Sequence, residues 1–347
     1  MILLFRWILL PISLIYWIIV WIRNTLYDKG ILKSTKFKIP TIVIGNLAIG
    51  GTGKSPMTEY ILHLLKEKYK IASLSRGYGR KTKGYKVVNN DSLALEVGDE
   101  PLQFKKKFPD VTVAVSENRC YGIQQLEQSH DVVILDDAYQ HRKLHPGFSI
   151  LLFDFNSLFS PIITLPTGNF RDNFSATKRA DLILITKCPN DVFDKQRNHI
   201  EHRIRKHSLA PIFYTGIAYS FPKDREGNSF EKILTGYEVV LFCGIANPSP
   251  LQSYLTDQGN NVHTLKFPDH HNFSSGDFKK IADYYISLSA ENKIIITTEK
   301  DMQRVPVSAL HELPLYYIPI RLKSIDKQQN TFDHFIFDYL QAATNVN

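Results

Sequence analysis

The chain has 347 residues, of which 44% are hydrophobic and 22% charged, and this composition excludes a disordered or low-complexity protein. Lysine and arginine outnumber aspartate and glutamate by 42 to 34, and the resulting net charge of +8 suits a phosphorylated ligand, an anionic membrane or nucleic acid. Cys120, Cys188 and Cys243 are few and far apart, so we expect reduced thiols rather than a disulfide framework or a zinc site.

The first predicted element is an apolar helix over residues 2–22, in which Arg6 is the only charged residue and Pro11 the only proline. A helix of that length reaches about 31 Å, enough to cross the hydrocarbon core of a membrane. Its tryptophans and Tyr16 are residue types that favour the membrane interface, so a spanning helix and a helix lying in the membrane surface both stay open. A cleaved signal peptide and a buried core helix are further alternatives, but no small-residue cleavage site follows the apolar run.

A basic connector follows the apolar segment at once. It contains Arg23, Lys29, Lys33, Lys36 and Lys38. An excess of positive charge beside a membrane segment predicts that the rest of the protein is cytoplasmic, and anionic headgroups would strengthen the attachment. We therefore expect residues 1–25 to form a membrane-associated helix.

Short β-branched runs then alternate with amphipathic stretches. Strands are predicted at residues 41–45, 71–75, 111–116, 132–136, 150–154 and 182–186. The alternation predicts an α/β fold with a mostly parallel sheet covered by helices on both faces over residues 26–205. Residues 206–347 contain fewer such units and are predicted to form a smaller C-terminal α/β lobe. Its predicted strands are 238–243, 262–267, 294–298 and 315–318, with helices near 249–258 and 276–288.

A glycine turn lies between the first of these strands and a helix predicted over residues 57–68. It consists of Gly50, Gly51, Thr52, Gly53, Lys54 and Ser55. In this setting backbone N–H groups and a helix N-terminus can bind a phosphate chain, with Lys54 reaching the terminal phosphates and Ser55 ligating magnesium. The full motif has a glycine where this chain has Ala48, and a turn that binds nothing is the alternative. The strand–turn–helix context favours nucleotide binding and a sheet like that of P-loop NTPases.

Two acids, Asp136 and Asp137, follow the buried strand at residues 132–136. Magnesium in a phosphate-loop site needs a carboxylate at the end of a neighbouring strand, and this pair supplies one. Alone, the two residues could be solvated acids at an ordinary strand end. Together with the glycine turn they indicate a metal–nucleotide site.

Several motifs in order now resemble one family, the tetraacyldisaccharide 4′-kinases, which are the lipid A 4′-kinases of Gram-negative bacteria. The motifs are VIGN at 43–46, GGTGKSP at 50–56, SRGYGR at 75–80, GDEP at 98–101, LDDAYQH at 135–141, LPTGNFRD at 165–172, FCGIANP at 242–248, DHH at 269–271 and TEKD at 298–301. With the apolar N-terminus, the resemblance runs through most of the chain. Asp172 stands where many family members have glutamate.

The resemblance implies transfer of the ATP γ-phosphate to the 4′-hydroxyl of an acylated glucosamine disaccharide 1-phosphate, giving lipid IVA at the cytoplasmic face of the inner membrane. ATP and Mg²⁺ would be required. Lys54 would hold the β- and γ-phosphates, and Ser55 with the Asp136–Asp137 pair would serve Mg²⁺. Asp99 would be the base, oriented by His270. These two residues lie on different predicted lobes, so they would meet only across a cleft.

Each of these assignments has a structural alternative. Asp99 could cap a helix over residues 100–108, and His270 could belong to a surface pair with His271. Four arginines are plausible clamps for the donor phosphates or the 1-phosphate of the substrate, or else solvated strand-end charges. They are Arg76, Arg80, Arg119 and Arg171.

Two other functions compete with the lipid kinase. A membrane-tethered P-loop ATPase could act as a switch on a protein partner, but we find no switch segments that identify such a partner. Nucleic-acid binding would use the basic surface, yet no nucleic-acid-binding module matches, and part of the positive charge lies just after the membrane segment. We therefore expect a membrane-attached kinase that binds no nucleic acid.

Overall fold

The structure is a computed structural model that describes residues 6–230, 232–325 and 329–344. The helices are α1 Leu10–Asp28, α2 Lys54–Leu65, α3 Ala94–Val97, α4 Asp99–Lys107, α5 Arg119–Leu126, α6 Asp194–Arg205, α7 Ser249–Asp257, α8 Ser275–Ser287, α9 Glu299–Met302 and α10 Gln329–Thr344, with 3₁₀ turns at Phe155–Leu158 and Phe174–Arg179. The strands are β1 Thr41–Asn46, β2 Ile71–Ser75, β3 Lys86–Val87, β4 Thr112–Val115, β5 Val132–Asp136, β6 Phe148–Asp154, β7 Leu182–Thr186, β8 Ile212–Tyr219, β9 Glu238–Cys243, β10 Asn261–Lys266, β11 Lys293–Thr298, β12 Leu315–Ile318 and β13 Ile320–Ser324.

The larger of two sheets has nine strands in the order β13-β8-β7-β6-β1-β5-β2-β4-β3. Neighbouring strands in this sheet are parallel except at its two edges, where β3 is antiparallel to β4 and β13 is antiparallel to β8. Every residue of β1, β2, β5 and β7 is buried, because helices cover both faces of a parallel sheet. The predicted α/β fold with a mostly parallel sheet is confirmed.

The smaller sheet is entirely parallel, with the order β10-β9-β11-β12. Its two faces have separate apolar cores. Leu251 and Leu255 of α7 pack on one face, and Phe278 and Ile281 of α8 pack on the other. This second domain follows the elements predicted for the C-terminal lobe closely.

The boundary between the two domains differs from the predicted one, which lay between residues 205 and 206. Strands β8 and β13 extend the larger sheet, and Phe332, Ile336 and Leu340 of α10 join the core beneath it. The second domain is thus an insertion between β8 and β13. The prediction assigned these elements to the C-terminal lobe because sequence order alone does not show that the chain returns to its first sheet.

Helix α1 lies along the first domain. By length and composition this helix could cross a membrane, but Ser13 and Val20 are buried against the body of the protein. The opposite face is apolar and exposed; Ile15 and Ile19, for example, are 58% and 59% exposed. Residues 2–5 of the predicted apolar segment lie outside the described residues. Cys120, Cys188 and Cys243 are thiols rather than disulfides, as expected.

Candidate active site

The glycine turn between β1 and α2 has the geometry of a phosphate-binding loop. Gly50 and Gly53 have positive φ angles of 103° and 81°, which glycine alone adopts without steric cost. Gly53 is the N-cap of α2, so the turn ends at the positive end of a helix dipole. Thr52 anchors the turn, since its carbonyl accepts from Thr186 Oγ1 over 2.9 Å and its hydroxyl accepts from Asn46 Nδ2 over 2.7 Å.

Asp136 lies beside this turn because β1 and β5 are parallel neighbours, with Ile44 paired to Asp136. Thr58 of α2 donates to Asp136 Oδ1 over 3.0 Å. Asp136 is only 1% exposed, so it is no solvated acid. Burial, together with the nearby charges of Glu100 and Asp137, raises the pKa of Asp136 to about 7.

Asp137 faces two of the predicted cations. Lys54 Nζ lies 3.9 Å from Asp137 Oδ2, and the Arg171 guanidinium donates to both carboxylate oxygens of Asp137, at 3.3 Å for Nη1 and Oδ2. Burial opposes ionisation, but Lys54 and Arg171 hold the pKa of Asp137 below its usual range. Arg171 also donates to Asn46. It therefore links the LPTGNFRD segment to the end of β1.

Asp99 and His270 meet across the two domains. His270 Nδ1 lies 3.2 Å from Asp99 Oδ2, although 171 residues separate them in the chain. Asp99 is the first residue of α4, and Gly98, with a φ of 94°, is the N-cap, so the alternative that Asp99 caps the helix is wrong. His270 is half-buried against Tyr78, with 5.2 Å between ring centroids, whereas His271 pairs with Asp277.

Sequence reasoning missed three charged side chains at this junction. The Arg304 guanidinium donates to both carboxylate oxygens of Asp99, with 2.8 Å between Nε and Oδ1. Glu100 accepts from Ser55 Oγ over 3.0 Å and from Lys300 Nζ over 3.2 Å, so it connects the phosphate loop to the second domain. Glu100 and Lys300 lie in the GDEP and TEKD motifs, and these motifs could have identified them as site residues. Arg304 lies outside every motif, and only the fold brings it to Asp99.

A cavity of about 370 Å³ joins these groups. It is lined by Ser75, Arg76, Gly77, Tyr78, Asp99, Glu100, Pro101, Glu117, Arg119, Asp136, Asp137, Gln140, His141, Arg171 and His270. Arg119 Nε, Arg171 Nε and His141 Nε2 are buried and lack a hydrogen-bond partner among the described residues. Buried polar groups normally have partners. The cavity is therefore suited to a polar, anionic ligand.

The four predicted arginine clamps differ in position. Arg76, Arg119 and Arg171 line the cavity. Arg80 pairs with Glu117, with 2.6 Å between Nη2 and Oε1, and donates to the Gly84 carbonyl over 2.7 Å. Arg80 is thus held outside the cavity lining by these contacts, whereas the other three face the space that a phosphorylated ligand would fill.

The donor set fits a magnesium ion. A serine hydroxyl beside a phosphate loop and carboxylates at the end of the next strand are oxygen ligands of the kind that Mg²⁺ prefers. Burial, and after it the negative charges of Glu100 and Asp137, raise the pKa of Asp136. A divalent cation held by Ser55 with Asp136 or Asp137 would favour the ionised form of these carboxylates.

Comparisons with known proteins agree with this site. A family model described as tetraacyldisaccharide-1-P 4′-kinase matches residues 5–341. The tetraacyldisaccharide 4′-kinase of Flavobacterium johnsoniae is 43% identical, covering 97% of this chain and 98% of its own. The corresponding protein of Bacteroides thetaiotaomicron is 40% identical, covering 98% and 94%.

A crystal structure of LpxK from Aquifex aeolicus in complex with ATP is also similar. It matches with a TM-score of 0.77 and 31% identity, covering 97% of this chain and 99% of that one. Similarity in sequence and in fold thus extends over both domains and the motifs that build the cavity, and the chain belongs to the tetraacyldisaccharide-1-P 4′-kinase family.

Proposed function

We propose that this protein transfers the γ-phosphate of ATP to the 4′-hydroxyl of tetraacyldisaccharide 1-phosphate, the step of lipid A biosynthesis that gives lipid IVA. The observation that carries the proposal is the meeting of Asp99 and His270 at a cavity that also contains Asp136. Ser55 of the phosphate loop contacts Glu100, the residue after Asp99. A group able to accept a proton thus lies beside the loop that would hold the donor nucleotide.

The chain's own residues divide the work of such a transfer. The glycine turn and Lys54 bind the donor phosphates, while Arg76, Arg119 and Arg171 neutralise charge around the cavity. Asp99 takes the proton of the 4′-hydroxyl as the new O–P bond forms and the bond between the γ-phosphorus and the oxygen bridging to the β-phosphate breaks, releasing ADP. Mg²⁺, when bound by Ser55 with Asp136 or Asp137, would offset the charge that develops on the phosphates.

Asp99 is ionised at neutral pH. Burial opposes this, but the Arg304 guanidinium and His270 lower the pKa of Asp99 to about 2. Such a carboxylate is a weak base. In a loose phosphoryl-transfer transition state, however, the acceptor hydroxyl becomes acidic only as the new bond forms, so orientation of that hydroxyl matters more than basicity.

Helix α1 supports a site at a membrane surface. We infer that it lies in the interface rather than spanning the bilayer, because contacts with the body of the protein run along its length, from Ser13 with Thr167 to Asn24 with Asp172. Tyr16 donates to the carbonyl of Arg171, which lines the cavity. The exposed apolar face would enter the headgroup and acyl boundary, so an acylated substrate could present its sugar to the cavity while its chains stay in lipid.

A radiolabel assay tests the proposal directly. The full chain would be incubated with γ-labelled ATP, Mg²⁺ and detergent-dispersed tetraacyldisaccharide 1-phosphate, and the products separated into lipid and inorganic phosphate. We expect label in the lipid and its loss in Lys54→Ala. Label released only as inorganic phosphate, with or without lipid, would refute the kinase and favour a membrane-tethered ATPase that acts on a protein partner.

A further inference from the structure

Arg304 of the second domain contacts both members of the Asp99–His270 pair. Its Nε donates to Asp99 Oδ1 over 2.8 Å, and its Nη2 donates to Asp99 Oδ2 and lies 2.8 Å from His270 Nδ1. Its Nη1 donates to the carbonyl of His271 over 3.3 Å. The Arg304 side chain is only 6% exposed. One buried guanidinium therefore fixes the carboxylate, the imidazole and the loop that carries the imidazole.

The imidazole of His270 lies between two cations of the second domain. Its Nδ1 lies 2.8 Å from Arg304 Nη2, and its Nε2 lies 3.4 Å from Lys300 Nζ. Of these two cations, Arg304 alone also donates to Asp99. The 3.2 Å separation of Asp99 and His270 is therefore held by a side chain that contacts both.

We propose that Arg304 is a positioning residue of the active site, which holds Asp99 and His270 from two domains in one arrangement. The inference rests on the proposed function, in which Asp99 is the base. Arg304 acts through Asp99 and His270. Its planar fork suits this task because two parallel hydrogen bonds fix the carboxylate in orientation as well as in position.

Removing the guanidinium has two separable consequences. Asp99 and His270 lose their common partner, so the acceptor hydroxyl is poorly oriented and kcat falls, on the order of 10²-fold for a misplacement of about 1 Å. Asp99 also keeps its burial while losing its strongest favourable partner. The other charged or titratable groups facing it are His270 and Lys300, with Glu100 next to it in α4. The acidic limb of the pH profile of kcat should therefore move up into the accessible pH range.

Three variants test the inference: Arg304→Met, Arg304→Lys and, as a matched control, Arg225→Met. Arg225 lies in the same domain and donates to the carbonyl of Pro306 over 2.7 Å, so it stabilises the loop just after Arg304. We would measure kcat, the KM for ATP and the pH profile from about pH 5 to 9. The expected result for Arg304→Met is a large fall in kcat, little change in KM and a new acidic limb. Arg304→Lys should be intermediate, and Arg225→Met should keep the wild-type profile.

A double-mutant cycle with Asp99→Asn separates this inference from the proposed function. If Arg304 acts through Asp99, the double variant is no slower than Asp99→Asn alone. Two results would overturn the positioning role without contradicting the kinase activity. One is a double variant whose loss of kcat is the product of the two single losses, and the other is an unchanged pH profile in Arg304→Met. Full activity of Asp99→Asn would instead refute Asp99 as the base.

The ring of His270 gives a readout that does not depend on turnover. In protein labelled with ¹⁵N-histidine, long-range ¹H–¹⁵N correlations report the state of both ring nitrogens, and His270→Gln identifies the signal. We expect the His270 signal to change in Arg304→Met and to stay as in the wild type in Arg225→Met. An unchanged signal in Arg304→Met would contradict the contact between Arg304 and His270.

Discussion

At the scale of single residues, Asp99 carries the chemical step in the proposed mechanism and contributes little to nucleotide binding. Asp99→Asn keeps the size of the side chain but removes the proton acceptor. We expect kcat to fall by roughly 10²- to 10⁴-fold, while affinity for ATP changes little because the phosphate loop is untouched. Turnover kinetics beside equilibrium ATP binding would check this. Equal losses in both quantities would argue against Asp99 as the base.

His141 is a second residue with a pH-dependent consequence. Burial, with the nearby positive charge of Arg119, lowers the pKa of His141 to about 4. Its ordinary value is about 6.5, so the unfolded chain binds a proton between these values and the folded chain does not. Stability is then lost as the pH falls from about 6.5 towards 4.

We therefore predict that His141→Gln shows a smaller fall in Tm than the wild type when the pH is lowered from about 7 to 5. Thermal unfolding at several pH values measures the difference. The contribution of Asp99, whose pKa is lowered to about 2, falls in a more acidic window and does not obscure it. Parallel curves for the two proteins would show that His141 is not kept neutral by the fold.

At the scale of elements, helix α1 has two faces with separate tasks. Ser13 and Val20 are buried against the first domain, while Ile15 and Ile19 are more than half exposed. An apolar face of this size exposed to water is unfavourable and marks a surface for lipid or protein. The buried face therefore holds the helix to the body, and the exposed face is available for the membrane.

Aspartate introduced on the exposed face should affect membrane attachment, whereas aspartate introduced on the buried face should affect stability. The double change Ile15→Asp and Ile19→Asp should weaken attachment to vesicles that contain anionic lipid, with little change in Tm. Val20→Asp should lower Tm instead, because it buries an unpaired charge. Vesicle flotation and thermal unfolding separate the two cases. Unchanged flotation of the Ile15→Asp and Ile19→Asp variant would refute the exposed face as the membrane contact.

Sequence reasoning located elements well where the signal was local. The strands at 71–75, 132–136, 182–186 and 238–243 have the predicted boundaries, because continuous β-branched runs identify buried parallel strands. It failed where a partner was distant. Strand β13 pairs with β8 over a separation of more than a hundred residues, and its alternating burial gives a weak signal. For the same reason Arg304 was missed, whereas Asp99 and His270 were found through their motifs.

At the scale of the whole molecule, a half-buried cation, Lys107, joins the two domains. Lys107 Nζ lies 2.6 Å from Glu59 Oε2 in the first domain and 3.1 Å from Glu299 Oε1 in the second. Burial and the charge of Glu299 raise the pKa of Glu59 to about 7. The carboxylates of Glu59 and Glu299 face each other, and the positive charge of Lys107 offsets the repulsion between them.

Removing Lys107 should therefore loosen the contact between the domains in a pH-dependent way. The raised pKa of Glu59 means that the folded protein binds a proton that the unfolded chain has already lost, so stability falls as the pH rises towards 7. Lys107→Met raises that pKa further and extends the fall above pH 7. We expect a loss of about 2–3 kcal/mol, larger at pH 8.5 than at pH 6, by denaturant unfolding. Lys105→Met is the control, since Lys105 donates only to carbonyls of the first domain among its described hydrogen bonds; an equal loss in both variants would show that Lys107 does not join the domains.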